Sequence, residues 1–365
     1  MSIDSLSHII SLVSTSKYTK IHFYMKLKFL IKLTVVACCL LYLILHVIVP
    51  NKWKNLNSTP KYGEVGHEEI VVTTTKPHQQ EANQTPLEKR LPDALIIGVM
   101  KGGTSMLQKF IFIHPNVKGL VKGEIHFFSF RFNKGFSWYL DQLEAARNGE
   151  IVMEKSMYFH HKMASQRIWK TFGKNIKLIL IVKDPVERLL SHYTMAFANS
   201  ETDRNFSQLA FTNENGKLAV NTRYNPVQMS NYADQMALWL SSGFDLSNFL
   251  IIDGHKFVKD PWPELFKLEN FLGLRHMLSK EMFYLNETKG FYCVMPNFTF
   301  ADGTPSNHKG GCGHPKCGRE HPILNDEERN LLYQYYAPKN QEFSKMVDME
   351  FPDWDLHKKL QSSNG

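Results

Sequence analysis

The chain has 365 residues, 43% of them hydrophobic, and 43 basic against 35 acidic side chains give it a net charge of +8. That hydrophobic content supplies a globular core and excludes a disordered protein, while the length allows one large or two small domains. Half of the net charge lies in the first fifty residues, where Lys17, Lys20, Lys26, Lys28 and Lys32 stand against Asp4.

That arm runs into "LTVVACCLLYLILHVIV", Leu33 to Val49, which becomes bilayer-length when "FLIK" before it is included and Lys32 snorkels. The expectation is a membrane span over residues 29–49. A late signal peptide fits less well, because the lead is long and polar and no small-residue cleavage pattern follows; a buried helix is the other alternative. Lysines cluster before the span, so the positive-inside rule makes residues 1–28 a cytosolic tail and leaves the remainder lumenal. Five N-x-S/T triplets, at Asn57, Asn83, Asn205, Asn286 and Asn297, all lie beyond the span, as this orientation requires of glycosylation sites. Cys38 and Cys39 fall within the span. Cys293, Cys312 and Cys317 lie close together, and in an oxidising compartment they imply one disulfide and one leftover thiol.

Residues 50–90 are polar, with prolines and threonines and little helical period, which reads as a stem. Beyond it, "DALIIGV", "EIVMEKS", "IKLILIVKD" and "NFLIIDG" are apolar runs suited to strands buried on both faces of a parallel sheet. Helical segments alternate with them: "TSMLQKFIFIH", "DPVERLLSHYTMAFANS", "SNYADQMALWLSSG" and "DPWPELFKLENFLGL". The pattern predicts one α/β domain, residues 91–365, with a central parallel sheet flanked by helices and ligands gathered at the C-terminal strand ends.

Four elements carry candidate chemistry. In "VMKGGTS", Gly102 and Gly103 let the backbone approach an anion at a helix start marked by Thr104 and Ser105, with Lys101 at the bend. The lysine precedes the glycines, the reverse of the nucleotide triphosphatase loop G-x-x-x-x-G-K-[ST]. In "LIVKDPVERLLSHY", Lys183 leaves a strand end and Ser191 lies two turns into the next helix, a pair suited to a second phosphate. The competing reading has Asp184 capping that helix, with Lys183, Glu187 and Arg188 forming a solvated face. In "KGEIHFFSF", Glu124 and His126 alternate on one side of a strand-like run, and a carboxylate beside buried aromatics is expected to have a raised proton affinity, as a general base needs. In "VMEKSMYF", Glu154 and Lys155 end another strand and are expected to face the cleft.

With the tail "TKGFYC…CGREHP" and the stretches "GFSWYLDQL" and "NETKGFYC", these elements resemble the Golgi heparan sulfate glucosamine 3-O-sulfotransferases over essentially all of 91–354. The resemblance implies a three-layer fold like that of P-loop nucleotide triphosphatases and a single-pass type II Golgi membrane protein with a lumenal catalytic domain. It implies 3′-phosphoadenylyl sulfate as donor, heparan sulfate as partner and acceptor, and neither a metal nor nucleic acid. Lys101, Gly102, Gly103, Thr104 and Ser105 would cradle the phosphosulfate, and Lys183 and Ser191 would take the 3′-phosphate. Tyr292 and the segment Cys317, Gly318, Arg319, Glu320, His321 would close over the nucleotide. Glu124 would be the base, with Lys101, Lys155 and His126 completing the catalytic set. Aligning the tail on Arg319 implies a Cys293–Cys312 disulfide.

Several positions depart from the family's usual residues. Ser105 and Lys183 stand where arginine is usual, Ser129 where an acid is usual, Cys317 where a lysine is usual, and "EKSMYF" is one residue short. Ser105 favours an N-sulfotransferase as the enzymatic alternative, while Ser129 and Cys317 favour a non-catalytic heparan-binding relative. "HKGGCGHPKCGREH" also admits a zinc site built from Cys312 and Cys317 with two of His308, His314 and His321.

Overall fold

The computed structural model describes residues 85–120, 123–312 and 319–355. The tail at 1–28, the span at 29–49, nearly all of the stem, and Asn57, Asn83, Cys317 and Gly318 lie outside the described residues. Among the described residues, no helix is long and apolar enough to cross a membrane.

The described residues contain nine strands, in chain order β1 Ala94–Gly98, β2 Val117–Gly119, β3 Ile151–Lys155, β4 Lys177–Val182, β5 Phe211–Glu214, β6 Lys217–Val220, β7 Phe249–Asp253, β8 Phe283–Asn286 and β9 Phe291–Val294. Five of them form the central sheet in the order β2-β3-β1-β4-β7, and every pairing is parallel. The pairs β5–β6 and β8–β9 are separate antiparallel hairpins. The helices that matter for the site are α1 Thr104–Ile111, α2 Phe127–Phe130, α3 Ala164–Phe172, α4 Pro185–Ala198, α5 Tyr232–Ser241, α6 Pro261–Leu272 and α7 Asp326–Val347.

The apolar runs become strands because both faces of the sheet are covered. On β4, Leu178, Leu180 and Val182 enter one core with α3, α5 and the end of α7, whereas Ile179 and Ile181 enter a second core with α1 and α6. This is the continuous hydrophobicity expected of parallel strands, and each successive side chain supplies the opposite layer. A third cluster joins Val186, Leu189 and Tyr193 of α4 to Leu332 and Tyr336 of α7.

Helix starts follow local chemistry. Asp184 caps α4, its Oδ1 accepting from the N–H groups of Val186 at 2.8 Å and Glu187 at 3.2 Å, with Pro185 in the first turn. Asn325 opens α7 through a reciprocal capping box with Glu328.

The segment read as strand-like around Glu124 is not a strand. His126 adopts a left-handed conformation (φ 54°) and starts α2, so Phe127 and Phe128 turn into the core while Glu124 stays in the preceding loop.

Gly254, just after β7, is held where the sheet meets the lysine loop. A Cβ there would lie 2.6 Å from the Val182 carbonyl oxygen and 2.9 Å from that of Gly102. Gly254→Ala should therefore force the two segments apart and cost about 1–3 kcal/mol. Urea unfolding of the two proteins measures this; an unchanged midpoint would mean that the contact is slack.

Candidate active site

One cavity of about 1380 Å³ opens at the C-terminal ends of β1, β3 and β4. The topology explains its position: β1 lies between β3 and β4, so the turn after β1 separates a wall built by β3 from one built by β4.

At the centre is the turn from β1 into α1. Lys101 takes a positive φ of 73°, and Gly103, at φ 110°, caps α1 without a side chain. A Cβ on Gly102 would lie 2.6 Å from the Ile181 carbonyl oxygen and 2.7 Å from Val99 Cγ2, so only glycine packs there unshifted. Lys101, Gly103, Thr104 and Ser105 line the cavity, presenting a lysine and the start of a helix, the donor set that suits an anion.

On the β4 side, Lys183 and Ser191 both line the cavity, and Lys183 Nζ is 3.2 Å from Glu187 Oε2. Arg319 and His321 reach the same wall, where His321 Nδ1 is 3.0 Å from Thr194 Oγ1. Asp184 does cap α4, but Arg188 is not on a solvated face: it is fully buried behind the lysine turn. Its guanidinium donates to Ser230 Oγ at 2.7 Å, the Pro226 carbonyl at 2.6 Å, the Met100 carbonyl at 3.4 Å and His192 Nδ1 at 3.3 Å. Burial, then the charges of Arg188 and Lys101, hold His192 down at about 3, so it is neutral and accepts that bond.

On the β3 side, Glu124 lies between Lys155 and His126. Its Oε1 accepts from Lys155 Nζ at 2.8 Å, and its Oε2 is 3.0 Å from His126 Nε2. Lys155 Nζ also reaches Ser105 Oγ at 3.4 Å, joining this wall to the helix start. The raised proton affinity expected for Glu124 is not found. Burial pushes its carboxyl upwards, but the hydrogen bond from His126 and the charge and hydrogen bond of Lys155 outweigh it and bring the group down to about 2. The aromatic neighbours that suggested an apolar setting, Phe127 and Phe128, point into the core instead.

Glu154 also departs from expectation. It is fully buried and faces away from the cleft, accepting from Tyr139 at 2.6 Å, Tyr158 at 2.9 Å and Ser156. Burial raises its proton affinity. Through Ser156, whose Oγ accepts the His126 N–H at 2.9 Å, this network fixes the backbone of His126.

Cys293 and Cys312 are joined by a disulfide, which removes Cys312 from the zinc ligand set considered above. Lys109 Nζ donates to the carbonyls of Gly311 at 2.6 Å and Cys312 at 2.7 Å, fastening this segment to α1. Tyr292 packs against the second core rather than lining the cavity, and Glu320 is exposed outside it. Asn205 and Asn297 are exposed; Asn286 is half-buried, its amide 3.5 Å from Cys312 Sγ. The cavity also takes in His308, singled out in the sequence only as a zinc ligand, and Phe130, His160 and His161, none of which carried a sequence signal of its own.

The chain is similar to known proteins in sequence and fold. The Sulfotransferase domain family matches residues 91–340. The chain belongs to the sulfotransferase family. It is 37% identical over 268 residues to heparan sulfate glucosamine 3-O-sulfotransferase 3B1 of Mus musculus, an alignment covering 73% of this chain and 66% of that protein. Against heparan sulfate glucosamine 3-O-sulfotransferase 6 of Mus musculus it is 34% identical over 276 residues, covering 74% and 75%. The chain thus spans just under two-thirds of the length of the first relative. A sulfotransferase from Alicyclobacillus acidocaldarius shares the fold, with a TM-score of 0.53 and 18% identity over 73% of this chain and 99% of that one.

The depressed carboxyl of Glu124 has a consequence for stability. Its folded value of about 2 lies below its ordinary value of 4.5, so the unfolded chain binds more protons between the two. The stabilisation is complete above about pH 4.5 and is lost as pH falls through about 2. Glu124→Gln should therefore melt lower than this sulfotransferase at neutral pH, with the gap narrowing steadily below about pH 4.5 and closing near pH 2. A gap that closes by pH 5 would mean that Lys155 and His126 do not hold the carboxylate.

Proposed function

We propose that this sulfotransferase moves the sulfuryl group of 3′-phosphoadenylyl sulfate to the 3-hydroxyl of a glucosamine residue in heparan sulfate, with Glu124 as general base. The observation that carries the reading is Glu124 bridged between Lys155 and His126, beside a lysine-first turn, in a chain whose relatives bear that name.

On this reading Lys101 and the start of α1 bind the phosphosulfate, and Lys183 and Ser191 hold the 3′-phosphate. Arg319 and His321 add contacts on the same wall; Tyr292, which packs into the core, is set aside as a contact. The acceptor hydroxyl approaches from the β3 side, in line with the bond that breaks. Glu124 takes its proton as oxygen attacks sulfur and adenosine 3′,5′-bisphosphate departs, while Lys101 offsets charge growing on the bridging oxygen.

A carboxylate at about 2 is ionised but weakly basic. Lys155 resolves this: it sits between Glu124 and Ser105, so an anionic donor draws its charge away from the carboxylate. Burial, which pushes Glu124 upwards, is then opposed mainly by the His126 hydrogen bond, and the basicity of Glu124 rises as the proton is needed. The polyanionic acceptor suits the lysines around the cleft. The span and sequons read from the sequence fit an anchored, lumenal Golgi enzyme.

Transfer of labelled sulfate to N-sulfated heparan, followed by disaccharide analysis, should place the label on the 3-hydroxyl; label on nitrogen or at the 6-hydroxyl rejects the regiochemistry. Glu124→Gln should lower kcat by about 10²–10⁴-fold while calorimetry shows adenosine 3′,5′-bisphosphate still binding. An active variant removes Glu124 as the base, and wild-type protein that fails to bind the bisphosphate rejects the donor.

A further inference from the structure

We infer that Phe130 is a stacking platform for a pyranose ring of the acceptor, seated beside the reacting hydroxyl; this rests on the reading above. Phe130 is 72% exposed, yet it lines the same cavity as Glu124, His126 and Lys155. Its ring centroid is 5.6 Å from that of His126, one helical turn earlier, and 5.1 Å from that of His161, which meets it edge-on at 90°.

The ring is carried on a fixed base. Phe127 and Phe128 anchor α2 in the core, where Phe127 stacks on Tyr139 at 4.3 Å. Arg167 donates to the carbonyls of Phe128 at 2.8 Å and Ser129 at 2.7 Å, and Arg131 donates to that of Ile125 at 2.6 Å. The N–H groups of Phe130 and Arg131 donate to the His126 carbonyl at 3.0 and 3.1 Å, so the backbone on both sides of Phe130 is held while its side chain is left to solvent and its apolar face is pre-organised.

A single exposed ring is ordinary on a protein surface; what sets Phe130 apart is its place inside the cavity beside Glu124, His126 and Lys155, where a bound molecule would cover it. The occupant that suits this position has an apolar face and a polar rim. A pyranose presents its axial C–H bonds to such a ring and directs its hydroxyls and sulfates outwards, towards Lys155, His126 and His161. The donor nucleotide is the poorer candidate, because Lys183, Ser191 and Arg319 lie on the β4 wall, across the β1 turn from α2. His126 and Phe130 therefore divide the work: one meets the carboxylate that takes the proton, the other sets the plane of the sugar that supplies it.

The test uses Phe130→Ala, Phe130→Leu and Phe130→Tyr with an N-sulfated heparan hexasaccharide, reading acceptor KM, kcat and adenosine 3′,5′-bisphosphate affinity. The alanine variant should raise acceptor KM about tenfold and leave bisphosphate affinity within about twofold. Tyrosine should restore the KM and leucine should not. An alanine variant with unchanged KM, or a leucine variant equal to tyrosine, overturns the platform. Should wild-type protein transfer no sulfate, the functional reading falls separately. Calorimetry of the hexasaccharide then decides the platform alone: about tenfold weaker binding by the alanine variant upholds it, and equal binding overturns it.

Discussion

Lys155 and Glu124 lie 31 residues apart in sequence, one ending a buried strand and the other in the loop before a short helix, and their 2.8 Å contact organises the cleft. A carboxylate in that half-buried position would be pushed towards its neutral form by burial; two nitrogen donors keep it charged. The pair also ties the β3 wall to the start of α1, because the same ammonium reaches Ser105. Everything required to place Lys155 there, from the parallel register of β1 against β3 to the buried Glu154 network behind it, serves that contact.

The fold supplies two walls rather than one. Since β1 is central, the turn that follows it is flanked by the ends of β3 and β4, and the two sides collect different chemistry. The β4 side is a cationic and hydroxylic surface, backed by the buried guanidinium of Arg188, which hydrogen-bonds the Met100 carbonyl of the turn. The β3 side holds Glu124, His126 and Lys155 and the exposed ring of Phe130. Glycine at 102 and 254 lets these layers touch backbone to backbone, so a methyl group at either would spread the site without altering a charged residue.

Much of this was legible in the chain. The four long apolar runs became β1, β3, β4 and β7 and the four periodic segments became α1, α4, α5 and α6, because burial on both faces leaves a strong compositional mark. The edge strand β2 is only three residues long and left no such mark. Glu124, His126, Lys155, Lys101, Lys183 and Ser191 do converge on one cavity. What escaped was direction. Nothing in "EIHFFSF" announces that His126 turns left-handed, sending Phe127 and Phe128 inwards and Phe130 outwards. The reading of a raised carboxyl failed for the same reason, since proximity in sequence to phenylalanines is not contact with them. Arg188 resembled a surface residue of an amphipathic helix, and only its partners from distant segments, Met100, Pro226 and Ser230, account for its burial.

The central claim is that Lys155 and His126 hold Glu124 ionised in the resting cleft, with burial waiting to reverse that. Carboxyl carbon NMR on protein labelled at glutamate, with Glu124→Gln used to assign the resonance, measures it directly. The account predicts a Glu124 signal still fully ionised at pH 4, where ordinary glutamates are mostly protonated, and a midpoint moved upwards in Lys155→Ala. A resting midpoint at or above 4.5, unchanged when Lys155 is removed, would contradict it.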